Sequence, residues 1–100
     1  MYRLNPRIQE RSMKIKEGFV LRELGDQHIV VALGKASKKF NGVVYLNETG
    51  AFLFRLLKEE KTEEDLISSL LEEYETDEET AKRDVGGFLK KLKEAHLLNE

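Results

Sequence analysis

The sequence predicts an α+β fold, with a three-stranded antiparallel sheet at the N-terminal end followed by a three-helix bundle. Three observations carry this reading. The runs rich in β-branched residues all precede Asn47, and the runs with helical apolar spacing all follow it. Asn47 itself is a favourable helix N-cap at the junction. No internal repeat or low-complexity segment interrupts the order, and 100 residues suit one domain.

Residues 1–13 are polar and contain the sole proline, Pro6. They read as an N-terminal arm, either an added edge strand or loosely ordered, with the domain proper spanning 14–100. Phe19 to Leu24 reads as a strand, Gly25-Asp26 as a turn, and Gln27 to Leu33 as a second strand completing a hairpin. Residues 34–42 read as a loop bearing Lys35, Lys38 and Lys39 and closing on Asn41-Gly42, a strong turn signal. Gly42-Val43-Val44-Tyr45-Leu46 is the third strand. Three strands with one apolar face approach the minimum for a stable sheet, provided that helices cover that face.

The first helix is expected from Asn47 to about Lys58, with Phe52, Leu53, Leu56 and Leu57 inward and Phe54 off that stripe, directed towards the sheet. Lys58-Glu59-Glu60-Lys61 connects it to the second helix. There Thr62 and Asp65 form a near capping box, and Leu66, Ile67, Leu70, Leu71 and Tyr74 share a face. The third helix, about 76–95, is expected to open on a capping box at Thr76-Asp77-Glu78-Glu79. Its acidic first turn and its Lys90, Lys91 and Lys93 suit the helix dipole. Ala81, Val85, Phe88, Leu89 and Leu92 form its apolar stripe. Leu97-Leu98 should fold back onto the core. A small sheet preceding three helices resembles a winged helix-turn-helix.

Composition removes several classes of function. There is no cysteine, hence no disulfide, thiolate metal site or thiol nucleophile; this fits a cytoplasmic location. No apolar run reaches the ~20 residues of a membrane span, and no secretion signal is visible, so no membrane partner is expected. His28 and His96 are remote from one another and lack ligand spacing, so no metal is expected. Ser12, Ser37, Ser68 and Ser69 lack a recognisable base partner, and there is no glycine-rich phosphate loop. The acidic residues follow caps and solvated helix surfaces. The chain reads as a non-enzyme with no cofactor.

Charge is distributed unevenly. Residues 1–41 carry 9 Lys/Arg and 4 Asp/Glu, residues 42–80 carry 3 and 12, and residues 81–100 carry 5 and 3. On the third helix, Gly86 falls among Lys82, Arg83, Lys90 and Lys93, with Gly87 beside it. Each glycine costs roughly 1 kcal/mol against alanine inside a helix. Either this face packs closely on a neighbour, or it forms a bare groove floor between basic side chains. A basic helix in this context raises DNA binding as an alternative. The acidic middle of the chain, the pI near 5.8 and the two glycines where base-reading side chains would stand argue against a nucleic-acid partner. Strand addition fits better: a short third strand with a free edge is a template for an extended peptide. The peptide's backbone would pair with Val43, Val44, Tyr45 and Leu46. Its side chains would rest on Gly86 and Gly87 between Lys82, Arg83 and Lys90.

Leu46-Asn47-Glu48-Thr49-Gly50, Leu53, Leu57, Thr62, Leu66, Leu70, Tyr74, Asp84-Val85, Phe88-Leu89, Leu92 and Leu97-Leu98 together resemble the pyrroloquinoline quinone biosynthesis protein D family. Its small domains are also called RiPP recognition elements. The resemblance runs from about Phe19 to Glu100, and Tyr2-Arg3-Leu4-Asn5-Pro6 is similar to the start of some members. The Lys58-to-Lys61 connector and the lysine-rich loop depart from the family pattern. The resemblance implies three strands plus three helices. It further implies a peptide chaperone that binds the leader of a ribosomally synthesised precursor peptide along the third strand, against the third helix. The leader is then presented to a modifying enzyme, often a radical S-adenosylmethionine enzyme. The alternative is a small winged-helix domain for DNA or protein interaction, and a homodimer is left open.

Overall fold

The computed structural model describes residues 11–40 and 42–99. The expectations for the rest of the arm and for Asn41 lie outside those residues. In chain order the elements are β1 (Lys14–Ile15), β2 (Phe19–Leu24), β3 (Gln27–Ala32), α1 (Ala36–Lys39), β4 (Val44–Leu46), α2 (Glu48–Leu56), α3 (Glu63–Glu73), α4 (Glu78–Glu94) and β5 (Leu98–Asn99). The α+β order is as expected: an antiparallel sheet β2-β3-β4, then the helices.

The hairpin β2–β3 pairs without a break from Phe19↔Ala32 to Leu24↔Gln27, and β3 continues to β4 through His28↔Leu46, Ile29↔Tyr45 and Val30↔Val44. Period-2 alternation then sorts the side chains. Phe19, Val30, Val44 and Leu46 are buried on the helix side, while Tyr45 stands out on the other. Phe54 of α2 is buried and shares a hollow with Val20 and Leu21 of β2, so it does reach the sheet. Leu53, Leu57, Leu66, Leu70, Val85, Leu92 and Leu97 complete the core. Among the described residues no buried side chain is polar or charged.

Four local features differ from expectation. First, Met13, the last residue assigned to the arm, is buried in the core. Its N–H donates to Lys61 O at 2.8 Å and its carbonyl accepts from Lys61 N–H at 3.0 Å. Second, β1 then pairs antiparallel with β5, Lys14↔Asn99 and Ile15↔Leu98. Both strands are too short for alternation to announce them. Third, the lysine-rich loop contains a one-turn helix, α1. Ala36 packs on Gly18, whose φ is 92° and where an added Cβ would lie 2.8 Å from the Ala36 Cβ. The Leu33 N–H donates to Gly18 O at 2.6 Å, and Phe40 meets Phe19 edge-on at 5.2 Å.

Fourth, Asp77 rather than Thr76 caps α4. Its carboxylate accepts the Thr80 N–H at 2.8 Å, and a charged acceptor at the positive end of the helix dipole outcompetes a hydroxyl. The capping box of α3 is complete with Asp65: Thr62 N–H donates to its carboxylate at 2.9 Å, and Asp65 N–H to the Thr62 hydroxyl at 3.1 Å. Helix α4 ends in a Schellman motif, in which Leu97 N–H donates to Leu92 O and His96 N–H to Lys93 O, both at 3.0 Å. His96 takes the left-handed position, φ 62°, usually given to glycine. That turn directs Leu97 and Leu98 into the core, as expected.

Candidate functional site: the free edge of β4 and the cleft beside α4

Strand β4 is bonded to β3 on one side only, so its other edge is unpaired within the sheet. The Lys91 ammonium of α4 donates to the Tyr45 carbonyl at 2.9 Å, which shows that this carbonyl points away from β3. In an antiparallel ladder a residue's N–H and C=O point the same way, and bonded and non-bonded pairs alternate. Tyr45 therefore turns both backbone groups to the free edge, while Val44 and Leu46 turn theirs to β3. Their side chains also go inward, and Tyr45 is 57% exposed.

Between this edge and α4 lies an open cleft of about 230 Å³. One wall is Leu46 and the start of α2, where Asn47 accepts the Gly50 N–H at 2.7 Å and so fixes the helix N-terminus. The other wall is the face of α4 carrying Arg83, Gly87 and Lys91, spaced four apart and hence stacked along one side of the helix. An added Cβ at Gly86 or Gly87 would meet nothing within 4 Å. Of the two explanations for paired glycines, close packing on a neighbour is thereby excluded. Gly87 is bare towards an open cleft.

The structure brings together Leu46, Arg83 and Gly87 of the anticipated residues, with the Tyr45 backbone at the same edge. Val43 is 41% exposed and lies just before β4 rather than in it. Val44 is buried against Val30. Gly86 and Lys90 are exposed but do not line the cleft. Lys82 is turned to another hollow, between α3 and α4, and pairs with Glu78 at 3.3 Å. The buried stripe of α4 is the expected one, Ala81, Val85, Phe88, Leu89 and Leu92; of the two glycines read as the groove floor, Gly87 lines the cleft and Gly86 does not. Lys91, Asp84 and Thr49 also line the cleft. The i, i+4 series Arg83-Gly87-Lys91 was the available signal for the first of these.

Among the described residues no group of three or more His, Cys, Asp and Glu side chains can hold a metal, and no helix is long and apolar enough to cross a membrane. His28 Nδ1 is buried without a hydrogen bond, 3.5 Å from the Glu23 carboxylate, which Arg55 also holds at 2.7 Å. Hydrogen bonds hold the Asp65 and Asp77 carboxyls below the usual range. The chief donor is the Thr62 backbone for Asp65 and Thr80 for Asp77. Both are helix caps. Burial raises the Tyr74 phenol, which stands edge-on to Phe52 at 5.5 Å.

A three-stranded sheet whose β4 edge is open, flanked across a cleft by the last helix of a bundle, defines a small winged-helix-like domain. The family model for Coenzyme PQQ synthesis protein D (PqqD) matches residues 27–98, and the chain belongs to that family. No curated protein matches it. Two solved structures resemble it. One is TbiB1 in complex with the TbiA(beta) leader peptide, 27% identical with a TM-score of 0.66, covering 86% of this chain and 94% of that one. The other is a lasso peptide synthetase B1 complexed with a leader peptide, 18% identical with a TM-score of 0.68, covering 88% and 98%; at that identity the likeness is one of fold.

Proposed function

We propose that this chain is a non-enzymatic peptide chaperone. It binds the leader of a ribosomally synthesised precursor as an added strand on the β4 edge and presents the precursor to a modifying enzyme. The observation that carries this is the outward-facing backbone of Tyr45 beside a cleft whose far wall is kept bare at Gly87. Membership in the PqqD family, and the leader peptide present in the TbiB1 structure, support the choice of ligand. An edge strand supplies main-chain hydrogen bonds for affinity, and a flanking cleft supplies side-chain selectivity. A radical S-adenosylmethionine enzyme in the cytoplasm is the enzyme partner that this reading favours; the absence of cysteine agrees with a reducing compartment. DNA binding loses ground because two of the helix cations are engaged, Lys82 by Glu78 and Lys91 by Tyr45 O.

The test is selection of dodecapeptides from a random display library, followed by amide hydrogen exchange. Enriched peptides should slow exchange at the Tyr45 amide, and their consensus should recur in a short reading frame beside the gene. Selection that enriches nothing, or binders that leave Tyr45 exchange unchanged, would refute strand addition.

A further inference from the structure

An incoming strand needs an acceptor at Tyr45 O, and that acceptor is already in use. The Lys91 ammonium sits on it at 2.9 Å, across the path along which the strand must approach. Among the described residues Lys91 has no carboxylate partner. Gly87 and Ala95 occupy its i−4 and i+4 positions, and Glu94, at i+3, forms no ion pair with it. Asp84 is on the same cleft wall, nearly two turns away along α4. A lysine that only solubilised the helix would extend into water; this one bridges two elements.

We propose that Lys91 is a latch on the β4 edge and the residue by which the site selects its peptide. The proposal rests on the strand-addition reading above. In the free domain Lys91 caps the exposed carbonyl and denies the edge to unsuitable strands, a role that charged side chains commonly serve at edge strands. A peptide that pairs with Tyr45 must displace the ammonium, which then stands beside the bound strand. A strand carrying a carboxylate on the side facing α4 replaces the lost bond with an ion pair. A strand without one returns the displaced ammonium to water and replaces its lost bond with none. The favoured ligand is therefore an extended peptide with an Asp or Glu opposite Lys91. Arg83, two helical turns away on the same wall, is placed for a second acidic side chain further along.

The experiment is a double-mutant cycle using one dodecapeptide enriched on the wild-type protein. Wild type and Lys91→Met are each titrated with that peptide and with its variant in which the conserved acidic residue is replaced by its amide. Lys91 is exposed, so the folded state should survive substitution, and a melting curve checks this. Neutralising the peptide should weaken wild-type binding about tenfold and Lys91→Met binding by less than about twofold. The neutral peptide should bind Lys91→Met more tightly than wild type, because the latch is gone. Binders that slow Tyr45 exchange yet show no coupling to Lys91 would overturn the latch and leave strand addition standing. Failure to enrich any binder would remove the underlying reading instead.

Discussion

Two adjacent glycines on α4 allow function and stability to be separated within one helix. Both have open space where a side chain would grow, so neither replacement should clash with the folded domain. Gly→Ala at an exposed helix position is worth about 1 kcal/mol, and leucine is nearly as good a helix former. For a domain of this size that corresponds to a rise in Tm of about 4–8 °C. Gly86→Leu and Gly87→Leu should both melt higher than wild type. Their binding should diverge. Gly87→Leu places an isobutyl group in a cleft of about 230 Å³, directly opposite the β4 edge. Forcing a strand past it costs about 1–3 kcal/mol, roughly 5- to 150-fold in Kd. Gly86→Leu lies off the cleft and should bind a selected dodecapeptide with wild-type affinity. The assay is a melting curve and a fluorescence titration on each variant. A lower Tm for Gly87→Leu would refute the open-face geometry, and equal affinity losses in the two variants would refute the assignment of the cleft wall.

Other outcomes follow from the same geometry. Tyr45→Pro removes an N–H that points to the free edge, so it should abolish peptide binding and leave the domain folded; Val44→Pro removes one bonded to β3 and should lower Tm, which circular dichroism would show. Gly18→Ala forces a side chain into a positive-φ position against Ala36 and should cost at least about 2 kcal/mol, read as a lower urea midpoint. His96→Gly relieves the left-handed position at the end of α4 and should gain up to about 1 kcal/mol in the same assay. Asp65 and Asp77 have folded pKa values below their unfolded ones, so their contribution is complete above the unfolded value, about 3.9, and is lost as pH falls through the depressed folded values. The Tm should hold between about pH 7 and 5 and fall below about 4, with a shallower fall in Asp65→Asn/Asp77→Asn.

What could be read from the chain depended on whether a signal was local and periodic. The β2–β3 hairpin, the burial of Phe54 and the Thr62 cap each rest on residues a few positions apart, and each was legible. The pairing of Lys14–Ile15 with Leu98–Asn99 joins two dipeptides from opposite ends of the chain, with no run long enough to alternate. Helix α1 depends on Gly18 accepting the Leu33 N–H, a contact between separated segments. At the site, the strand edge was legible from the short β-branched run. The apolar stripe of α4 was legible too, but which glycine borders the cleft was not, because Gly86 and Gly87 differ by one position and carry no side chain. The contact of Lys91 with Tyr45 O joins two elements 46 residues apart and leaves no local signal.

The β1–β5 ladder has a topological consequence. Lys14 and Asn99 are cross-strand partners, so β1 and β5 bring the two end regions of the described fold side by side, about 5 Å apart across the ladder. A short linker from Asn99 to Arg11 would close the chain and keep Met13 in its buried place. New ends opened in the exposed Lys58–Glu60 connector would then give a circular permutant that keeps β4 and α4 intact. In that permutant β1 and β5 become a local hairpin instead of a pairing that waits for nearly the whole chain. Shortening that closure lowers the contact order, so the rearranged chain should fold faster than the natural one.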